Sequence, residues 1–470
     1  MISLTLTDLA GVINGSLVLD GSATADTRVE GTVDTDSRNI GPGDIFVAKP
    51  GETTDGHRFV PTAASQGALV AIVEHVVEAS ISQIVVQNTV EALADLAREV
   101  VGRVRARGQL RVVGITGSNG KTTTKNMLAH ILAADGDTVS PHASFNNEVG
   151  APLTMLRVTD DTKYLVSEFG ASGPGEIAKL AGLVAPDVGI VLMVGMAHAG
   201  GFGGIEETFR AKSELVRAVR SGGLAVLNAD DGRVVAMSPI AQENDVAVRW
   251  FGHAAKADVH ASDVEVTGEG TLCTVSVDGV SAQLRLRVLG AHHVMNALAA
   301  LAAATALGVS GKDAIHRLEQ VEIAERWRMQ PLGSDRVRII NDAYNASPDS
   351  MSAALRTLAQ ITTPDQRRVA VLGAMSELGE YAEEEHDRIG LLAVRLGIER
   401  IVIIGDAARR MFLEAVAQGS WDGEAVYFAD ADAAYDYLTT ELRDGDRVLV
   451  KSSNSAGLRF LGDRLGEFFS

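Results

Sequence analysis

A glycine-rich segment carries the residue types that bind nucleotide phosphates. The run Gly114-Ile-Thr-Gly-Ser-Asn-Gly-Lys-Thr-Thr-Thr-Lys125 follows an apolar stretch, 110–115, and precedes a helical pattern from Asn126. A strand, a glycine-rich turn and a helix direct backbone N–H groups toward a phosphate. Lys121 would add a positive charge near the outer phosphates, and the Thr122 hydroxyl would ligate Mg²⁺. The predicted phosphate-binding residues are Gly117, Ser118, Asn119, Gly120, Lys121, Thr122 and Thr123.

Further polar residues follow predicted strands and helices. Glu168 follows a buried strand, where a carboxylate either holds Mg²⁺ or simply ends the strand at the surface. His198 lies in a glycine-rich loop, and Lys212 lies on a predicted helix. Taken singly, a loop histidine or a helix lysine more often has no catalytic role. A role for these residues can therefore be predicted only together with the strands and helices that position them.

Strands and helices alternate along the chain and predict an α/β fold. Region 1–105 mixes short strands with turns and ends in a helix and a basic stretch. Region 106–324 predicts a mainly parallel sheet covered by helices, with a β-hairpin at its edge over 264–289. Region 325–470 predicts a second, Rossmann-like unit, whose ligands would lie beyond the carboxyl ends of its strands.

Composition excludes several classes of protein. The 470 residues are 46% hydrophobic and 22% charged, which is typical of a globular protein with more than one domain. The net charge of −19 argues against binding to nucleic acid or anionic membranes. The single cysteine excludes an intramolecular disulfide framework and fits a reducing compartment. Since neither a signal peptide nor a membrane-spanning stretch is evident, we expect a cytoplasmic protein without membrane insertion.

Together the motifs resemble the Mur ligase family. Segments 36–38, 42–48 and 55–59 resemble the uridine-nucleotide-binding domain of that family. The runs 341–351 and 372–379 resemble the members that add D-alanyl-D-alanine, and the Asp-Asn-Pro-Arg run of the diaminopimelate-adding members is absent from the sequence. The central motifs that carry the resemblance are Gly-Lys-Thr-Thr at 120–123, Asn-Asn-x-x-Gly-x-Pro at 146–152, Glu-Phe-Gly at 168–170, His198, Lys212 and Gly-Ala-His-His-Val-Met-Asn at 290–296.

The resemblance implies three domains and one reaction. A small N-terminal α/β domain would bind the uridine nucleotide, a central P-loop domain would bind ATP on its parallel sheet, and a C-terminal Rossmann-like domain would close over ATP and the incoming dipeptide. The implied activity joins D-alanyl-D-alanine to UDP-N-acetylmuramoyl-tripeptide through an acyl phosphate, giving a peptidoglycan precursor. We expect a monomer that hinges near 324–328.

The resemblance also implies roles for individual residues. Two Mg²⁺ ions are expected, one held by Thr122 and Glu168 and the other by His198 and a carbamylated Lys212. Lys121, Glu168, His198 and Lys212 would form the catalytic set. Asn296 would lie against adenine, while Arg328 and Asn345 would also contact ATP. The expected substrate-binding residues are Ser37, Arg38, Asp55, Gly56, His57, Asn146 and Tyr344.

Several positions depart from the family pattern and leave alternatives open. His293 and Ala374 replace the usual Asn and Asp, and Asn454 replaces a frequent Arg. A ligase that adds another amine, a nucleotide switch that controls a partner protein and a degenerate ligase retained as a scaffold all remain open. The third residue of the stem peptide, which is diaminopimelate, lysine or ornithine, is also undetermined.

Overall fold

Three α/β domains follow one another along the described part of the chain. The computed structural model describes residues 1–51, 54–142, 144–197, 199–322, 326–419 and 424–470. His198 and the first part of the expected hinge therefore lie outside the described residues. Within those residues, no helix combines the length and the apolar character needed to cross a bilayer.

The first domain is built on a small, mainly parallel sheet. Its elements are β1 Leu4–Thr5, α1 Leu6–Val12, β2 Ser16–Val18, β3 Arg28–Val29, β4 Val33–Asp34, β5 Ile45–Val47, α2 Val60–Ser65, β6 Val70–Val73, β7 Ser82–Val85 and α3 Thr89–Ala106. The sheet has the order β2-β7-β6-β5-β4. Strands β4 and β5 are parallel neighbours. The 3-10 helices Ser37–Asn39 and Gly56–Phe59, which come after these two strands, therefore follow the same sheet edge.

The second domain contains the glycine-rich loop and a long, mixed sheet. Its elements are β8 Arg111–Thr116, α4 Lys121–Ala133, β9 Thr138–Val139, α5 Gly150–Met155, β10 Tyr164–Glu168, α6 Glu176–Gly182, β11 Val188–Val191, α7 Ala199–Phe202, α8 Ile205–Ala218, β12 Leu224–Asn228, α9 Gly232–Val235, α10 Ser238–Glu243, β13 Ala247–Gly252, β14 Val259–Thr267, β15 Gly270–Val277, β16 Val280–Leu286, α11 His292–Ala306 and α12 Gly311–Leu318. The sheet has the order β16-β15-β14-β13-β12-β11-β8-β10-β9. The predicted hairpin at its edge is confirmed by the antiparallel pairing of β15 with β16.

The register of the second sheet positions the candidate site. Strand β8 lies between β10 and β11 and runs parallel to both. Glu168 pairs with Ile115, and Val191 pairs with Thr116. The carboxyl ends of the three strands therefore bring Glu168 and the loop after β11 beside the glycine-rich turn.

The third domain repeats the α/β pattern on a separate sheet. Its elements are β17 Gln330–Gly333, β18 Val337–Asn341, α13 Pro348–Ile361, β19 Arg367–Leu372, α14 Ala382–Arg395, β20 Arg400–Ile404, α15 Arg409–Ala417, β21 Ala425–Phe428, α16 Ala431–Glu441, β22 Asp446–Lys451 and α17 Leu458–Phe468. The sheet has the order β17-β18-β22-β19-β20-β21. The sequence predicts β18, β19, β20 and β22 but misses β17 and β21. Each of the two missed strands lies at a sheet edge and has exposed or partly exposed residues, so its hydrophobic signal is weak.

A buried ion pair stabilises the third domain. Arg367 donates through Nε and Nη2 to the carboxylate of Asp446, at 2.9 and 2.7 Å. Asp446 is fully buried, and Arg367 also donates to Glu441. We expect Arg367→Ala to lower the free energy of unfolding of this domain by about 3–5 kcal/mol, because it leaves a buried carboxylate without its cation. Urea denaturation would measure this loss.

A matched control for this prediction lies on the surface of the same domain. Arg464 pairs with Asp432 through side chains that are largely solvent-exposed. Its replacement by alanine should cost about 1 kcal/mol or less. If Arg367→Ala and Arg464→Ala lower the free energy of unfolding equally, the ion pair between Arg367 and Asp446 does not stabilise the domain as proposed.

Candidate active site

The glycine-rich loop forms a phosphate-binding turn that leads directly into a helix. Helix α4 begins at Lys121, earlier than the predicted start at Asn126, because the polar first turn hides the helical pattern. Gly120 adopts a left-handed conformation with φ of +85°, and an added Cβ would lie 2.3 Å from Oδ1 of Asn296. A side chain at 120 is therefore excluded both by the backbone and by its neighbour. The backbone amides of the loop and the N-terminus of α4 together favour binding of an anion at this turn.

Lys121 lies inside this turn rather than in solvent. Its Nζ donates a hydrogen bond of 2.7 Å to the carbonyl oxygen of Gly117. Burial lowers the pKa of Lys121, and the negative charge of Glu168 opposes that effect. A charged lysine in this place is stabilised by anions, so the turn favours a phosphate ligand.

An arginine from the third domain reaches the threonine of the turn. Arg328 Nη2 lies 3.3 Å from Thr122 Oγ1 and 3.2 Å from Ser144 Oγ, and the two hydroxyls are 3.1 Å apart. The guanidinium group also stacks over the ring of Tyr344, 4.1 Å from its centroid. The predicted residues Arg328, Tyr344 and Thr122 thus meet at one point, where a positive charge faces the phosphate-binding turn.

Glu168 has the features of a cation ligand. Its side chain is buried, and Oε1 accepts a hydrogen bond of 2.9 Å from Nδ2 of Asn146. Its other oxygen, Oε2, is buried and has no hydrogen-bond partner in the described residues. An unpaired carboxylate oxygen is costly unless it meets a cation or a donor. The oxygen donors of Glu168 and Thr122 therefore fit Mg²⁺, which prefers oxygen ligands and usually completes its shell with substrate phosphates and water.

Lys212 lies on α8, as the sequence predicts, and is almost completely buried. Burial is the main cause that lowers its pKa to about 7, and the positive charge of Lys121 adds to this effect. A substantial fraction of the side chain is therefore a neutral amine near neutral pH. A neutral amine is nucleophilic, which is the property that carbamylation requires.

These residues surround a cavity of about 570 Å³ between the second and third domains. The predicted residues that line it are Ser118, Asn119, Gly120, Lys121, Thr122, Thr123, Asn146, Glu168, Asn296, Arg328, Tyr344 and Asn345. Gly117 and Lys212 are not among its lining residues. A cavity of this size fits a nucleotide-sized ligand.

Two adjacent histidines line the cavity beside Asn296. The rings of His292 and His293 are 4.0 Å apart, and Nδ1 of His293 lies 3.3 Å from Nδ2 of Asn296. Nε2 of His293 is buried without a hydrogen-bond partner in the described residues. Burial lowers the pKa of His292 to about 4 and that of His293 well below its ordinary value. Both rings are therefore neutral at physiological pH.

Because these histidines are neutral in the folded protein, we expect the free energy of unfolding to fall at acidic pH. Between pH 6.5 and 4, the unfolded chain protonates His292 while the folded protein does not, so stability falls as the pH falls. The pKa of about 4 corresponds to a loss on the order of 3 kcal/mol across this window. His292→Gln should remove much of that loss, measured as the free energy of urea unfolding at pH 7 and pH 4.5. The exposed His316 provides the control, and an equal change in His316→Gln would contradict the prediction.

The first-domain residues form a separate polar group. Asp36 pairs with Arg38, and Ser37 between them is buried. Both ring nitrogens of the buried His57 are engaged: Nδ1 lies 2.6 Å from Asp55, and Nε2 accepts a hydrogen bond from the backbone N–H of Glu74. None of these residues lines the 570 Å³ cavity, and their predicted contact with substrate stays a prediction.

Sequence reasoning misses several residues of this site. Ser144, which lines the cavity, bridges Thr122 and Arg328. Ser347 Oγ donates to Asn119 Oδ1 across the domain boundary. The available signals are weak, since a serine in a loop or before Pro348 is an ordinary turn or cap residue.

Family models match most of the chain. The Mur ligase middle domain matches residues 115–304, and the Mur ligase glutamate ligase domain matches 327–454. The catalytic domain of the Mur ligase family matches residues 32–101.

Curated relatives match the chain over its whole length. It is 41% identical to the UDP-N-acetylmuramoyl-tripeptide–D-alanyl-D-alanine ligase of Mycobacterium tuberculosis, over 99% of this chain and 98% of that protein. It is 34% identical to the Escherichia coli protein of the same name, over 97% of each chain.

Solved structures show the same architecture. A crystal structure of MurF from Acinetobacter baumannii superposes with a TM-score of 0.88, at 32% identity and 99% coverage of both chains. A MurF ligase from Thermotoga maritima in complex with ADP superposes with a TM-score of 0.80, at 27% identity and covering 93% of this chain and 98% of that one.

Proposed function

Because the chain belongs to the Mur ligase family, we propose that it joins D-alanyl-D-alanine to UDP-N-acetylmuramoyl-tripeptide with consumption of ATP. The observation that carries this proposal is the cavity between the phosphate-binding turn and the third domain. It combines a partly buried lysine, a carboxylate with one oxygen that has no hydrogen-bond partner among the described residues, and an arginine from the opposite domain. The names of relatives that match over the full length support the same reaction.

The proposed chemistry has two steps. A carboxylate oxygen of the tripeptide attacks the γ-phosphorus of ATP, and ADP leaves. The amine of D-alanyl-D-alanine then attacks the carbonyl carbon of the acyl phosphate, loses a proton, and phosphate leaves. Lys121, Arg328 and the backbone amides of the turn stabilise the negative charge on the transferred group. The third domain excludes water that would hydrolyse the acyl phosphate.

The proposed metal ligands follow from the chemistry of the donors. Thr122 and Glu168 would hold one Mg²⁺, which neutralises charge on the transferring phosphoryl group when bound. A carbamylated Lys212 and His198 would hold the second. Among the described residues, His, Cys, Asp and Glu form no group of three that could hold a metal unaided. Because Mg²⁺ usually keeps several waters and is held by one or two carboxylates plus substrate phosphates, the Thr122 and Glu168 oxygens fit a cation that binds together with ATP.

A smaller cavity beside the main one supports binding of the incoming dipeptide. It measures about 180 Å³ and shares Asn345, Ala346 and Ser347 with the ATP cavity. Its other lining residues are Ala197, Ser376, Glu377, Ser453, Asn454 and Ser455. The lining is rich in hydroxyl groups, and Ser376 Oγ lies 2.8 Å from Ser453 Oγ. D-Alanyl-D-alanine would bind here next to the acyl phosphate.

The uridine nucleotide is assigned to the first domain. Ser37, Arg38, Asp55, Gly56 and His57 lie in or beside the 3-10 helices that follow β4 and β5. The exposed Arg38 offers a positive charge for a diphosphate. We further propose a monomer that acts in the cytoplasm, where its substrate ATP is present.

The test is a ligation assay with defined substrates. Purified protein, Mg-ATP and UDP-N-acetylmuramoyl-tripeptide are combined with and without D-alanyl-D-alanine, using tripeptides that end in diaminopimelate, lysine or ornithine. We expect phosphate release that requires both substrates and a UDP-pentapeptide identified by mass. Gel filtration of the same sample measures the oligomeric state.

Each alternative predicts another outcome of the assay. If the protein instead joins a free diamino acid to the UDP-dipeptide, it is the ligase that adds the third residue of the stem peptide. Slow ATP hydrolysis that ignores muramoyl peptides would favour a nucleotide switch. Nucleotide binding without turnover would favour a scaffold. Any of these results would overturn the proposed reaction.

A further inference from the structure

The loop after β11 is held by hydrogen bonds from two domains. Its consecutive backbone N–H groups at Val194, Gly195 and Met196 each donate to a side chain. Val194 donates to Asp231 at 2.8 Å, and Gly195 donates to Ser118 of the phosphate-binding turn at 2.8 Å. Both acceptors belong to the second domain. The third bond, from Met196, crosses to the third domain.

Asp349 provides that third acceptor. Its Oδ2 lies 3.1 Å from the backbone nitrogen of Met196. It is the second residue of α13, where Ser347 and Ser350 already form a capping box. Asp349 is therefore not needed as the helix cap, and its carboxylate is directed across the domain boundary. Burial raises the pKa of Asp349, so the charged carboxylate is less favourable here than in water.

The packing at Gly195 indicates how closely the two domains approach here. A Cβ added to Gly195 would lie 2.1 Å from Oδ2 of Asp349. Any side chain at 195 would displace the carboxylate or the loop. Next to this contact, Ser347 Oγ donates to Asn119 Oδ1 of the phosphate-binding turn at 3.1 Å. The start of α13 thus touches both the turn and the loop that continues toward residue 198.

We propose that Asp349 is a positioning residue that ties the loop after β11 to the third domain, so that closure of this domain fixes the loop in place beside the phosphate-binding turn. The proposal deepens the ligase function proposed above and rests on it. Without the Asp349 acceptor, the loop keeps its bonds to Asp231 and Ser118 but loses its tie to the closing domain. Misplacement of groups around a reacting phosphoryl group slows the chemical step more than it weakens substrate binding.

The first test compares three variants in the ligation assay. We expect Asp349→Ala to lower kcat about 10- to 100-fold while KM for the UDP-tripeptide changes less than about threefold. Asp349→Asn keeps an acceptor oxygen and should recover most of kcat. Asp432→Ala is the matched control, because Asp432 is also the second residue of a helix, α16, but is exposed and pairs with Arg464. It should behave like the wild type.

A double-mutant cycle provides the second test. Gly195→Ala should lower kcat because its methyl group meets Asp349. In the Asp349→Ala background the methyl group no longer meets the carboxylate and meets only the flexible end of Met193, at 3.0 Å, so Gly195→Ala should add little. Additive losses, equal kcat values for Asp349→Ala and Asp432→Ala, or a failure of Asp349→Asn to recover activity would each overturn the proposal. If the wild type joins no dipeptide, the proposed function itself fails, which is a distinguishable result.

Discussion

Lys121→Ala is expected to lower the rate of ADP and UDP-pentapeptide formation about 1000-fold. The lysine is partly buried in the phosphate-binding turn, where its ammonium group donates to the Gly117 carbonyl and interacts with the charge of Glu168. No other lysine lines the turn within the described residues of the cavity, since Lys451 lies on the third-domain side. Steady-state rates with saturating substrates would measure the loss.

The same substitution should leave the fold intact. Burial lowers the pKa of Lys121, so the folded protein bears a cost for holding the charged ammonium group. Replacement by alanine removes that cost, and the melting temperature should stay level or rise. Lys163→Ala is the control, because Lys163 is a surface lysine that pairs with Asp135. It should keep wild-type rates.

Lys121→Arg tests whether a positive charge at position 121 is sufficient for activity or whether the shape of the lysine side chain is also required. A guanidinium group retains the positive charge but is planar and bulkier than an ammonium group. Since the turn closes tightly over Nζ at 2.7 Å from the Gly117 oxygen, we expect Arg to restore little activity. Wild-type rates in Lys121→Ala would contradict the assignment of the turn as the ATP site, whatever the effect on stability.

The sequence predicts those parts of the site that depend on local pattern. The strand-turn-helix pattern predicts the phosphate-binding turn, and the rule that ligands lie at the carboxyl ends of parallel strands places Glu168 beside it. The pairing of Glu168 with Ile115 confirms that placement. The alternation of strands and helices likewise predicts the α/β class of each domain, because buried parallel strands are continuous apolar runs.

Contacts between domains cannot be predicted in the same way. Arg328 meets Thr122, and Asp349 meets Met196, across large separations in the sequence. An aspartate in the first turn of a helix is common whether or not it has a partner elsewhere. Only the packing of the second domain on the third distinguishes Asp349 from Asp432, which has the same position in its helix and faces solvent.

Lys212→Ala is the second substitution with a large expected effect. The buried amine has a pKa of about 7, so above that pH it is mostly neutral and can attack CO₂. In the proposed carbamylation, a bond would form between Nζ and the carbon, a proton would leave the nitrogen, and the side chain would become an anionic carbamate. That anion would be stabilised by the positive charge of Lys121, which disfavours the ammonium form. Alanine cannot form it, and we expect kcat to fall about 100-fold.

Three measurements distinguish a carbamate from a structural lysine. A carbamate carbon should appear in the ¹³C spectrum of wild-type protein supplied with ¹³C-bicarbonate and be absent from Lys212→Ala. Added formate or acetate should restore part of the activity of Lys212→Ala, because a small carboxylate can occupy the vacated space. Activity of the wild type should rise between pH 6 and pH 8, as the ammonium form, which cannot react with CO₂, is lost.

The control for Lys212 lies on the same helix. Arg210 is largely exposed and pairs with Glu207, so Arg210→Ala should keep both the ¹³C signal and wild-type activity. A Lys212→Ala protein with wild-type kcat would contradict a catalytic role. A large loss of activity with no ¹³C signal in the wild type would instead assign Lys212 to the site as a simple amine.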